Sequence, residues 1–228
     1  MSANSCGDCA IGPRCVLGRL EEAERALVAP HLRERIFHRG DALLEEGKDT
    51  AFVRVIKLGT AFVHRRGLDG RSRPIGVMGR GQAFGFLGMF GSPNQVSCFA
   101  HTTVRVCELP VLAMREMSAS VPQFMVHMTR AVVENFASVA AWAEALRLPG
   151  MANQLAYVLV LLGDADKSAV VALPSHAALA ELLGTRRESI ARALRTLESE
   201  GGIKRLDRRR CELVRSALLA RLSPHEVP

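Results

Sequence analysis

The chain has 228 residues, 48% of them apolar, and its 30 Lys/Arg against 23 Asp/Glu give a formal charge of +7. At roughly 100–200 residues per domain the length fits one large domain or two small ones, and the apolar share excludes a disordered polyelectrolyte. No apolar run approaches the ~20 residues that cross a bilayer. Residues 1–10 also lack the charged-then-apolar pattern of a secretory leader. The expected compartment is the cytoplasm, with no membrane partner. Thiols stay reduced there, so clustered members of the six cysteines are expected to bind metal rather than to form structural disulfides.

Three of those cysteines stand in the opening stretch CGDCAIGPRC, as Cys6, Cys9 and Cys15. Residues 19–32 place Leu20, Ala23, Leu27 and Val28 at helical spacing. Short β-type runs follow at 52–56, 61–64, 74–78, 96–100 and 103–109, separated by glycine-bearing turns, as in a barrel of jelly-roll type. Pro122 then opens a long segment to about Leu148 with no further Pro or Gly. Its Met125, Met128, Val132, Phe136, Val139, Ala143 and Leu146 recur every three or four residues, the spacing of a dimerising seam. Its only charges before Arg147 are Arg130, Glu134 and Glu144, so a dimer built on it is expected to be strongly apolar. Pro149-Gly150 closes the segment as a hinge. Helices are expected at 151–162, 175–183 and 187–199.

The expected fold class is therefore α+β. A cysteine arm (1–18) precedes a β-barrel, jelly-roll sensor domain (19–120), a dimerisation helix (121–149) and a winged helix-turn-helix (150–228). Positive charge concentrates near the C-terminus, with 10 Lys/Arg against 5 Asp/Glu over residues 184–215. Ser175 is placed to cap a first helix, Gly184 permits a tight turn, and Thr185 is expected to cap a second. In that second helix Ile190, Ala193, Leu194 and Leu197 form the inner side. Arg186, Arg187, Glu188, Ser189 and Arg192 remain outside, where a recognition helix meets base edges. Arginine reads guanine O6 and N7 bidentately, and glutamate accepts from cytosine N4. Lys204, Arg205, Arg208 and Arg209, with Arg210, fit a basic β-wing against phosphates.

GTRRESIARAL and the following EGGI, after a β-domain and a long helix, resemble the CRP/FNR superfamily of bacterial transcription regulators. The resemblance implies a homodimer on a pseudo-palindromic double-stranded operator, with RNA polymerase as a further partner. It also implies that Arg187, Glu188 and Arg192 read the half-site. Cyclic-nucleotide-binding members carry an acidic residue and an Arg-Ser pair in the segment matching GQAFGFLGMFGSPNQVSCFA; here Phe86 and Val96-Ser97 stand in those places. An apolar valine leaves a buried phosphate unpaired, so a cyclic nucleotide is not expected, and Phe84, Phe86, Met89 and Phe90 are expected to fill the barrel.

The C-x2-C-x5-C spacing allows a cuboidal cluster to be wrapped by one loop. A fourth ligand is required, and Cys98, Cys107 and Cys211 are the candidates. Cys107 alternates against Val104 and Val106 and so faces away from their core. Cys98 shares the parity of Val96 and Ala100 and reads as a small buried hydrophobe, while Cys211 falls in the wing. The context CELP resembles the distal ligand position of the FNR branch, which selects Cys107. The implied cofactor is an oxygen-labile [4Fe-4S] cluster on Cys6, Cys9, Cys15 and Cys107, making the chain an oxygen- or redox-responsive regulator. The alternatives are zinc, completed by His101 or His64, thiol–disulfide chemistry, haem or another small ligand. The seven histidines are scattered, without triad or metal-ligand spacing, so an enzyme is not expected.

Overall fold

The computed structural model describes residues 9, 11–12 and 15–222. They divide into two compact units, one of the described residues up to 72 with 78–137, the other of 73–77 and 138–222.

In the first unit the arm leads into α1 (Glu22–Val28). The expected helical face is only partly realised: Leu20 and Val28 are buried, whereas Leu27 is 58% exposed and Ala23 is exposed as well. The helix is only seven residues long, and Pro30 cannot continue it. Eight strands follow in the chain: β1 (Arg33–Phe37), β2 (Ala42–Leu44), β3 (Phe52–Leu58), β4 (Ala61–Arg66), β5 (Ser72–Met78), of which residues 73–77 group with the second unit, β6 (Ala83–Phe84), β7 (Ser97–Ala100) and β8 (Val104–Pro110). They form two sheets in the orders β1-β8-β3-β6 and β2-β7-β4-β5. The architecture is thus a jelly-roll-like sandwich rather than a closed barrel.

Strand alternation explains how the sandwich is filled. Phe37, Leu44, Ile56, Met78, Phe84, Cys98, Val104 and Val106, drawn from both sheets, form one core. The opposite face of the first sheet presents Val53, Val55 and Leu109 to a second core. That core is completed by Ile11, Cys15, Val16, Leu17 and Leu20 of the arm and by the helices. Those helices are α2 (Val111–Ser120) and α3 (Pro122–Ala145), which contribute Met114, Met117, Phe124 and Met128. Between the strands the Arg54 Nε donates to Glu108 Oε1 at 2.6 Å, and its Nη1 donates to the Leu43 carbonyl at 3.0 Å. Both charged residues are buried, so each compensates the desolvation of the other.

α3 contributes residues 122–137 to the first unit and 138–145 to the second. The second unit then builds α4 (Met151–Asp166), β9 (Val170–Ala172), α5 (His176–Leu182), α6 (Arg187–Ser199), β10 (Ile203–Arg205), β11 (Arg210–Leu213) and α7 (Arg215–Leu222). Its sheet runs β10-β11-β9, and α4 supplies the buried Leu155, Leu159 and Leu162. The expected hinge at Pro149-Gly150 is tied down. Asn153 Nδ2 donates to the Pro149 carbonyl at 2.9 Å, and Gln154 Nε2 donates to the Leu148 carbonyl at 3.0 Å. Among the described residues no helix is long and apolar enough to cross a membrane.

Candidate nucleic-acid interface and cysteine site

Ser175 caps α5 as expected, its side chain accepting from the Ala178 N–H at 3.2 Å. Gly184 takes φ +61° in the turn, a left-handed conformation that a side chain would strain. The cap of α6 differs from expectation: the N-cap residue is Arg186, with no side-chain cap bond, not Thr185. Thr185 instead closes the preceding turn, its N–H donating to the Ala180 carbonyl at 2.8 Å. The N-cap is set by where the chain leaves extended geometry, and Arg186 is the extended residue.

α6 buries Ile190, Ala193, Leu194 and Leu197, the four residues expected inside. Arg186, Arg187, Glu188 and Arg192 are exposed and Ser189 is half-buried. Among the described residues no carboxylate is bonded to Arg186, Arg187 or Arg192. The start of α6 therefore presents arginines that no carboxylate among the described residues pairs, at the end where backbone N–H groups already favour negative charge.

The wing pairs Ile203 with Leu213, Lys204 with Glu212 and Arg205 with Cys211. Its tip depends on a residue the sequence reading did not single out. Asp207 accepts from the Arg209 N–H and from Arg210 Nε, both at 2.7 Å. These bonds, the backbone one first, hold its carboxyl below the usual value of 3.8. They also take Arg210 for the turn itself, leaving Lys204, Arg205, Arg208 and Arg209 exposed. An aspartate opening the run DRRR is a turn signal, and it was available in the sequence.

On α3 the exposed stripe is Met125, Thr129, Val132, Phe136, Val139 and Ala143, which alternates spacings of four and three, and the exposed Leu146 follows in the turn just past the helix. Met128 departs from the expected seam: it is 4% exposed, inside the second core. Thr129, one residue later, holds the heptad position in its place. A rigid helix cannot turn both neighbours to the same face.

Cys6 lies outside the described residues. Cys9 and Cys15 pack with the second core, and Cys107 is half-buried on the sheet face beneath it, since it shares strand parity with Leu109. Cys107 stands between Glu34 of β1 and Val55 of β3 in the ladder. A bulge follows in β3 between Ile56 and Leu58, and Lys57, at that bulge, forms an ion pair with Glu34. Burial lowers the proton affinity of Lys57, but the Glu34 bond and the nearby Cys107 and Cys9 outweigh it and raise the pKa above 10.5.

Cys98 and Cys211 lie elsewhere. Cys98 sits between the sheets, where burial pushes its thiol up to about 12. Cys211 is enclosed in the second unit, with burial pushing it to about 11. His101 stacks on Phe62 at 4.5 Å and His64 meets Phe99 edge-on at 5.4 Å. Among the described residues no group of three or more His, Cys, Asp or Glu is arranged to hold a metal ion. Cysteine sulfur is the ligand type an iron–sulfur cluster takes, and Cys9 and Cys15 lie with the second core, to whose side of the sheet Cys107 belongs.

Phe86 and Met89, expected inside the barrel, instead lie partly buried against the second core on the outer face of the first sheet, and Val96 packs against the core between the sheets. Phe84 fills that inner core, but Phe90 does not: it is 73% exposed. The 3-10 turn Phe86–Phe90 ends at Gly91 in left-handed geometry, which leaves its last ring outside.

Residues 34–120 match the family model for the cyclic nucleotide-binding domain, and residues 153–222 match the Crp-like helix-turn-helix domain. Among curated proteins none matches the chain significantly. Several solved structures are similar in fold. A CRP-family transcriptional regulator from Thermus thermophilus is 23% identical, with a TM-score of 0.68 over 82% of this chain and 96% of that one. FixK2 from Bradyrhizobium japonicum is 17% identical, with a TM-score of 0.70 over 83% of this chain and 96% of that one. The c-di-GMP-responsive global regulator CLP from Xanthomonas campestris is also 17% identical, with a TM-score of 0.65 over 85% and 99%.

Proposed function

We propose, on the premise that this chain is a DNA-binding transcription regulator of the CRP/FNR type, that it acts as an oxygen-responsive homodimer controlled through its cysteine arm. The observation that carries this reading is that Cys9 and Cys15 pack into the second core, on the side of the first sheet to which Cys107 belongs, with Cys98 and Cys211 enclosed elsewhere. Cys6, Cys9, Cys15 and Cys107 would hold a [4Fe-4S] cluster, which when bound supplies an oxygen-labile link between arm and sheet. The chain's own residues do the rest. The second core seats the arm against β3, β8 and α3, and the exposed heptad stripe of α3 meets its copy across a twofold axis.

The exposed first turn of α6 enters the major groove, where Arg187 and Arg192 donate to guanine and Glu188 accepts from cytosine. Lys204, Arg205, Arg208 and Arg209 approach phosphates and fix the register. Two such modules read half-sites about one helical turn, ~34 Å, apart, and RNA polymerase is the further partner of the DNA-bound form. A cyclic nucleotide is not the effector in this reading. Phe86 and Val96 pack into apolar cores, and neither offers a phosphate charge a partner.

Purification without oxygen, followed by absorption spectroscopy, tests the proposal. The expected result is a brown protein with a broad charge-transfer band that bleaches in air and is lost in Cys107→Ala. A colourless chain holding one zinc ion overturns the cluster. Equal operator affinity of loaded and metal-free protein overturns sensing through the cysteines, whatever they bind.

A further inference from the structure

The arm is a chain of hydrogen-bonded turns that ends on the long helix. Gly12 N–H donates to the Cys9 carbonyl at 2.7 Å, Cys15 N–H to the Ile11 carbonyl at 2.9 Å, and Arg19 N–H to the Cys15 carbonyl at 3.1 Å. The two glycines of this stretch touch: a Cβ on Gly18 would lie 2.2 Å from the Gly12 carbonyl oxygen, so the turns have one close-packed arrangement. Arg19 then extends from the last turn to α3, where its Nη2 donates to Glu134 Oε1 at 2.9 Å. The same oxygen accepts from Arg130 Nε at 3.1 Å. Arg19 is largely buried, with 13% of its side chain exposed. Val132, Val133 and Phe136, which flank Glu134, are all on the exposed apolar surface of α3.

We propose that Arg19 is the positioning residue that couples the cysteine arm to the dimerising face of α3. It anchors the turn begun at Cys15 to Glu134, beside the seam. The reading rests on the arm being the sensing element, and it adds the contact through which the arm acts. A displaced Cys15 moves the carbonyl that holds Arg19. The Arg19–Glu134 bond then turns or releases the segment carrying Val132 and Phe136. By reciprocity, a change at Glu134 must be felt in the arm. The bond is not simply one more surface ion pair, which would contribute little, because its arginine is mostly enclosed and its carboxylate already has a partner on its own helix.

Two measurements on the full chain test it. Hydrogen exchange of the metal-free protein reads the arm directly. Glu134→Gln, 115 residues away in sequence, should speed exchange of the amides of residues 15–20 about fivefold; unchanged exchange there overturns the coupling. Equilibrium sedimentation then compares cluster-loaded and metal-free protein. Wild type should show dimer dissociation constants differing about fivefold or more. Arg19→Met should bring the two states within about twofold of each other, and Arg19→Lys should restore most of the difference. An undiminished difference in Arg19→Met overturns the proposal. A wild type whose two states do not differ in association overturns control of dimerisation by the arm, while the exchange result still decides whether arm and helix are coupled.

Discussion

At the scale of single residues, the cysteines separate by environment rather than by spacing. Cys98 and Cys211 are 1% and 0% exposed, and burial disfavours their thiolates, the reactive form. In the native chain at pH 8 both should be alkylated by iodoacetamide about 100-fold more slowly than in urea, as mapped by mass spectrometry; similar rates in the two solvents would contradict it. The linkage has a definite sign. A thiol raised from 9.0 to about 12 contributes stability that is fully present below pH 9 and is lost as pH rises toward 12. Strand parity already separated Cys98 from Cys107 in the sequence, because period-2 alternation assigns a face without any knowledge of the partner strand. The role of Asp207 was also open to a local reading, since an aspartate before a basic run organises a turn by bonds to its own neighbours.

At the scale of elements, α3 shows where periodicity stops being informative. A stripe repeating every three or four residues is consistent with two registers one residue apart, and both contain apolar side chains. Phe124 and Met128 turn inward to cover the first sheet, and that choice places Thr129 rather than Met128 on the outer seam. Met128→Ala should therefore lower unfolding free energy by ~2–5 kcal/mol through a core cavity, leaving association of the folded chain unchanged. Phe136→Glu should do the reverse, raising the dimer dissociation constant about 100-fold as loss of an aromatic anchor does, with the fold retained by circular dichroism. Urea titration and equilibrium sedimentation separate the two effects. If Met128→Ala weakens association as much as Phe136→Glu, the assignment of faces is wrong. The sequence names no run for β1, β2, β6 or β9 and no helix for α2 or α7; β2 and β9 have three residues each and β6 two. Runs this short carry no period, and α2 went unread because its Val111–Ser120 helix directly continues an apolar strand.

At the scale of the whole molecule, charge placement predicts how DNA binding should fail. Arg187→Ala should cost ~1–3 kcal/mol at one guanine position and relax the preference there. Lys204→Gln should weaken binding to all sequences alike and reduce the salt dependence by about one unit of slope. Operator selection combined with binding measured across salt concentrations checks both, and uniform losses for the two variants would remove Arg187 from base reading. The inner residues of α6, its exposed Arg187, Glu188 and Arg192, and the basic wing were all determined by sequence alone. An amphipathic helix needs only its own period to decide which side is wet. The order of arm, sandwich, long helix and helix-turn-helix was legible for the same reason, as each part differs in period or turn chemistry. Tertiary structure alone decided that the sandwich has a second core on its outer face and that Cys9 and Cys15 pack into it. It alone seated the arm on α3 through Arg19. Those facts join residues far apart in the chain, and it is burial of the outer face of the first sheet, not any local spacing, that brings them together.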